Sequence, residues 1–171
     1  MQAEPNDKHV WMLVKMAKED KFHAWVDSMS MYGSLFNLIA KEVGMEKALK
    51  MHAAIGAPFG DQIGNTLKEQ LAGKKVNIRA LNKIIKPMMS GMGYESEVKK
   101  SPKSLTIRVT KCPMYEGFKM AGLDHKTIEK MCSAMSQAEY DAINKHLPKL
   151  EGRVKFRESP NDVCVEEFII K

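Results

Sequence analysis

The sequence predicts an α+β fold: N-terminal helices followed by a four-stranded antiparallel sheet of two hairpins, with helices between them. Two patterns carry this expectation. Up to about residue 92, apolar residues recur at helical spacing. From Tyr94 onward, alternating segments appear in pairs, each pair bracketing a proline-containing turn. The chain reads as a single domain over residues 1–171, with a helical half at 1–92 and an α+β, cysteine-bearing half at 93–171.

Val10, Trp11, Val14, Ala17, Phe22 and Trp25 predict an amphipathic helix over residues 7–26. Ser28 or Ser30 caps a second helix carrying Met31, Leu35, Leu38 and Ile39, and Gly44 stops it. A third helix covers residues 45–55. Gly56, Pro58 and Gly60 are expected to interrupt the pattern before a helix over residues 59–71. Gly60 and Gly64 lie one helical turn apart, a spacing that suits close packing of two helices. Asn77 caps a helix bearing Leu81, Ile84, Ile85, Met88 and Met89, ended by Gly91 and Gly93.

Residues 95–100 and 104–110 form the first predicted hairpin, turning through Lys100-Ser101-Pro102-Lys103. Leu105, Ile107 and Val109 point one way, and Thr106, Arg108 and Thr110 the other. Pro113 ends that strand and a short helix follows over residues 114–121, with Gly122 as its stop. Asp124 caps a helix through Ile128 and Met131 to Ala134. Ser136-Gln137-Ala138-Glu139 has the form of a capping box and predicts a further helix to about His146. Residues 153–158 and 163–170 complete the second hairpin around Ser159-Pro160-Asn161-Asp162.

The chain has 171 residues, 44% of them hydrophobic and 28% charged, values typical of a soluble globular protein. No apolar run approaches the roughly 18 residues of a membrane span. The N-terminus lacks a signal-peptide apolar region, so a cytoplasmic location with reduced cysteines is expected, and no membrane partner. The net charge of +6 comes from scattered lysines, without a basic stripe or interleaved aromatics. No nucleic-acid partner is expected, although the charge suits an anionic substrate such as a carboxylate. Fourteen methionines point to a soft, adaptable interior.

The chemistry concentrates in the second half, which holds all three cysteines. Cys112 leaves a strand just before a helix, where exposed amides and the helix dipole stabilise a thiolate. It is the leading candidate nucleophile, with Cys132 and Cys164 as supporting catalytic candidates. Glu116, one turn further on, and the adjacent Tyr115 are placed to handle protons, and Tyr115, His125 and His146 are the candidate substrate-binding residues. A second reading makes the three thiols a soft-metal site for zinc, with His125 or His146 as fourth ligand, although no CxxC pair is present. The Cys112-Pro113 pair also occurs in haem-ligating proteins. A third reading makes the thiols buried structural groups. The thiolate route needs no cofactor.

The run Arg108-Val109-Thr110-Lys111-Cys112-Pro113-Met114-Tyr115-Glu116 resembles the strand-then-Cys-Pro segment of the L-2-amino-thiazoline-4-carboxylic acid hydrolase family. Cys132 resembles that family's second cysteine. Asn144-Lys145-His146-Leu147-Pro148-Lys149-Leu150 resembles its segment before a strand, with His146 and Leu147 separating the asparagine from the proline. Asn161-Asp162-Val163-Cys164-Val165-Glu166-Glu167-Phe168 resembles its closing hairpin, with Asn161 in place of glycine. The resemblance implies hydrolysis of a C–N bond in a small cyclic amidine-like or amide-like substrate. In it, a Cys112 thiolate attacks the amidine carbon while Glu116 or a histidine handles protons, or the cysteines hold a metal that activates water. The architecture is also similar to 4-vinyl reductase-type sensor domains, which implies the alternative of a non-enzymatic domain binding a small molecule, metal or haem. A further alternative is a structural or interaction module that forms a homodimer through the N-terminal helices.

Overall fold

The computed structural model describes residues 18–71 and 76–171. The element order is α1 (Lys18–Val43), α2 (Met45–Leu71), α3 (Ile78–Gly91), β1 (Glu95–Lys100), β2 (Ser104–Lys111), α4 (Pro113–Met120), α5 (His125–His146), β3 (Leu150–Lys155) and β4 (Cys164–Ile170). The expected α+β architecture is present. The four strands form one antiparallel sheet in the order β1-β2-β4-β3, so each hairpin contributes one central and one edge strand.

The inner face of the sheet follows from strand alternation. Val109 lies opposite Cys164, Ile107 opposite Glu166 and Leu105 opposite Phe168, while Val154 of β3 also lies opposite Glu166. These side chains share one face, and the helices cover it. The outer face carries cross-strand ion pairs. Arg153 donates from Nε and Nη2 to Glu167 Oε2 at 2.9 and 2.6 Å, and Arg108 meets Glu97 at 3.5 Å.

The helix starts are capped as the sequence indicates. Ala80 N–H donates to Asn77 Oδ1 at 2.9 Å, and Thr127 N–H donates to Asp124 Oδ1 at 2.7 Å. Gly44 takes a positive φ of 85° between α1 and α2, a conformation that favours glycine.

Four expected boundaries are corrected. The two helices read on either side of Ser28 are one, α1: both cap candidates, Ser28 and Ser30, lie inside it, and Ser28 turns its hydroxyl back onto the Ala24 carbonyl instead of capping; the part of the first expected helix before Lys18 lies outside the described residues. Gly56, Pro58 and Gly60 do not interrupt α2. Pro58 and Ala54, the residue whose carbonyl loses its helical partner, are both exposed, so water can satisfy that group. The helices expected on either side of Ser136 are also one, α5, and the capping box is unused. β3 runs from Leu150 to Lys155 and ends before the expected residue 158.

Gly56, Gly60 and Gly64 form a stripe along α2 against α5. A Cβ at Gly56 would fall on the Met135 carbonyl oxygen and one at Gly60 on the Glu139 carbonyl oxygen; at Gly64 it would run into the His146 ring. The absence of side chains lets the two backbones approach closely.

Two hydrophobic clusters result. One joins α2, α3 and α5 to the sheet through residues such as Leu67, Leu81, Leu105, Ile143 and Phe168. The other joins α1, α4 and α5 through Phe36, Phe118, Ile128 and Met131. Cys112 packs against both.

Gly60→Ala is expected to lower the melting temperature by roughly 3–10 °C, the effect of overpacking against a backbone that cannot swing away. Gly91→Ala, where a Cβ meets no atom within 4 Å, should leave it nearly unchanged. Thermal melts followed by circular dichroism compare the two.

Candidate functional site

The helices do not fill the space above the sheet, and a cavity of about 390 Å³ remains there. Its floor is Val109, Val154, Cys164, Glu166 and Phe168 from the inner sheet face. Helix α5 contributes Cys132, Met135, Ser136, Glu139, Tyr140 and Ile143, which recur at helical spacing along one face. Met88, Met89 and Met92 come from α3 and its end, and Met114 and Phe118 from α4. Helices α1 and α2 add Trp25, Met29, Tyr32, His52, Ile55, Phe59 and Ile63. Trp25, Ile55 and Phe59 line the cavity yet are 36%, 49% and 39% exposed, which marks its mouth between α1 and α2.

All three cysteines face this cavity, and all are free. Cys112 is the N-cap of α4, where its Sγ accepts the Tyr115 N–H at 3.4 Å and Pro113 opens the helix. The local geometry is thus the one expected for a stabilised thiolate, but burial dominates. Desolvation pushes the Cys112 thiol up to about 12, against the opposing pull of the Tyr115 amide and the Arg157 guanidinium. Desolvation raises Cys132 as well, helped by the charges of Cys112 and Cys164. At neutral pH, Cys112 and Cys132 are thiols. Among the described residues, no group of three His, Cys, Asp or Glu side chains is placed to hold a metal ion.

Two carboxyl groups that sequence reasoning passed over lie in the same cavity. Burial, followed by the charge of Glu166, raises Glu139 to about 7. Burial raises Glu166 too, while the nearby Tyr140 hydroxyl pulls it down. Tyr94 and Tyr140 are held well above the usual phenol range, mainly by burial. The Tyr140 ring meets Phe168 edge-on at 5.9 Å and lies over Gly152, where a side chain would collide with it.

His52 is buried at the helical wall. Its Nε2 is 3.1 Å from the Met131 carbonyl oxygen and its Nδ1 is 2.7 Å from the Tyr32 hydroxyl. A carbonyl only accepts, so Nε2 carries the hydrogen and Nδ1 accepts from Tyr32. Desolvation lowers the pKa of this ring, which keeps it neutral.

The remaining sequence candidates stand outside the cavity lining. Tyr115 Oη is 3.1 Å from His125 Nδ1, and the Arg157 guanidinium lies 3.9 Å over the Tyr115 ring centroid. Glu116 faces Lys119 at 3.9 Å. His146 Nε2 meets Asp61 Oδ1 at 3.0 Å and ties the end of α5 to α2. The fold therefore brings Cys112, Cys132 and Cys164 to one cavity and leaves Glu116, Tyr115, His125 and His146 beyond it.

Two of the missed residues had a legible signal. Glu166 alternates with Cys164 and Phe168, and Glu139 lies two helical turns beyond Cys132. Arg157 fell within an expected strand and His52 carried no motif. No family model, curated protein or solved structure matches the chain.

The Glu139 carboxyl makes stability depend on pH. Its pKa is 4.5 when free and about 7 in the fold, so the native state holds the proton more tightly. That contribution is complete below the free value and is lost as pH rises through the folded value. The urea midpoint is expected to fall between about pH 5 and pH 7.5, and Glu139→Gln should flatten this slope. Denaturation curves across that range provide the check.

Proposed function

We propose that this chain binds a small, mainly apolar organic molecule in the cavity, as a ligand-binding or sensor-like domain. The observation that carries the reading is the cavity itself: about 390 Å³, walled by methionines and aromatic rings, with a few convergent polar groups and a mouth rimmed by Trp25, Ile55 and Phe59. Methionine side chains adapt to irregular ligands. The neutral state of His52 and of the Cys112 and Cys132 thiols supports binding over ionic chemistry at rest. The exposed Met31, Leu35 and Leu38 on α1 support the expected homodimer contact.

The test uses Nile red, an uncharged dye that brightens in apolar sites. One equivalent should bind per chain. Val154→Trp fills the floor of the cavity and is expected to weaken binding by about tenfold or more, since the ring takes the volume the dye needs. Unchanged affinity in a folded Val154→Trp protein would place the dye elsewhere and remove the support for this reading.

A second reading is favoured by the position of Cys112, whose sulfur faces the cavity at a helix N-terminus. It is the cysteine-dependent hydrolysis of a C–N bond in a cyclic amidine-like substrate that the family resemblance implies. Sulfur attack on the amidine carbon requires Cys112 to pass its proton to a neighbour. Glu139, raised to about 7 and lining the same cavity, suits that exchange better than Glu116 outside it. Under this reading, Cys112→Ala abolishes ring opening of an aminothiazoline carboxylate, measured as released thiol, while Nile red binding persists. Turnover that survives Cys112→Ala rules the nucleophile out.

A further inference from the structure

Strand β4 carries two adjacent glutamates in different surroundings. Glu167 points outward and accepts two hydrogen bonds from Arg153. Glu166 points inward and lines the cavity, as does Glu139 from α5. Neither of these two carboxyls has a cation beside it. None of the chain's 27 lysines and arginines lines the cavity among the described residues. His52 is neutral, with both ring nitrogens occupied. Glutamate is rarely enclosed without a partner, because an unpaired charge loses its hydration. The chain is basic, yet the lining of its cavity is acidic.

Donors are short as well. The donor that reaches these carboxyls among the described residues is the Tyr140 hydroxyl, at Glu166. Tyr140 follows Glu139 on α5 and its ring lies over Gly152 of β3. Glu166 lies opposite Ile107 and Val154, in the middle of the inner sheet face. The two carboxyls therefore stand on either side of one space, and the charge of Glu166 acts on Glu139. Both side chains keep accessible surface and both line the cavity, so a ligand inside it can reach them. Their remaining oxygens are acceptors without donors. A group that brings both N–H donors and a positive charge meets the two shortages together. The rings of Tyr94, Tyr140, Phe156 and Phe168 line the same space, and aromatic faces attract a cation.

We propose that the ligand is an apolar molecule bearing one protonated primary amine, and that Glu139 and Glu166 hold this ammonium between α5 and β4. The proposal rests on the apolar-cavity reading above and adds the charge of the ligand. The body of the ligand lies among the methionines, and its ammonium donates to the carboxyl oxygens. Charge balances when one carboxyl is ionised and the other keeps its proton. The ammonium then meets a single carboxylate, and no net charge is left in the cavity. Glu139, at about 7, is within reach of ionisation near neutral pH.

The experiment compares decylamine, decyltrimethylammonium, decan-1-ol and decanoate on the full chain by displacement of Nile red near neutral pH. Decylamine is expected to bind about tenfold tighter than decan-1-ol, the scale of a charge-assisted pair. Decyltrimethylammonium carries the charge without N–H donors and should bind more weakly than decylamine. Replacing both carboxyls, in a Glu139→Gln and Glu166→Gln double variant, should bring the ratio of amine to alcohol affinity to about one. If decan-1-ol binds and decylamine binds no better in the wild-type chain, the amine site is wrong and the apolar cavity stands. If decanoate binds tightest, the acidic pair does not select the ligand and the proposal is overturned. If decyltrimethylammonium matches decylamine, or the amine preference survives in the folded double variant, the carboxyls do not hold the ammonium and the proposal is likewise overturned. If none of the four displaces the dye, both readings fall. The wild-type comparison keeps the outcome decisive even where the variant fails to fold.

Discussion

The site depends first on how closely α2 lies against α5. At Gly56 and Gly60 the contact is made by backbone, with carbonyl oxygens of α5 occupying the volume a Cβ would need. The same device recurs where α1 meets α4, at Gly117 against Met29 and the Val26 carbonyl. Close contact along these lines holds the helices as two tight pairs. It also fixes the rotation of α5, so that Cys132, Glu139 and Tyr140 face the cavity. The space between the pairs and the sheet is the cavity.

Burial then governs the chemistry inside. Cys112 has the cap position and amide that favour a thiolate, and Arg157 adds a positive charge. These effects lose to desolvation because the thiol is enclosed among apolar side chains. The same cause raises Glu139 and Glu166, whose mutual repulsion would grow if both ionised. A neutral interior is coherent with a cavity that receives an organic molecule. Arg157 is the exception, since its charge cannot be removed by burial.

Much of the fold was legible from local signals. The alternation of Leu105, Ile107 and Val109 marked the inner face, and Asn77, Asp124 and the positive-φ Gly44 marked helix ends. The errors share one origin. Gly56, Pro58 and Gly60 look like breakers, and Ser136 looks like a cap, because local propensity is all that a short window contains. Packing reversed both readings: the glycines lie against α5, and Ser136 faces the cavity within an unbroken helix. At the site, residue type directed attention to cysteines and histidines near turns. Cys112, Cys132 and Cys164 do converge on one cavity, whereas His125 and His146 have partners in Tyr115 and Asp61.

The sequence by itself determined the α+β class, the two hairpins, the inward strand faces and the local cap at Cys112. Each depends on neighbours within a few positions along the chain. Only the tertiary structure decided that three distant thiols, two carboxyls and a methionine-rich wall enclose one space, and that Arg157 is buried against the Tyr115 ring without a hydrogen-bond partner for Nε. Burial and long-range fields arise from elements far apart in sequence, and they set the protonation of the Cys112 thiol and the Glu139 carboxyl more strongly than any local motif does.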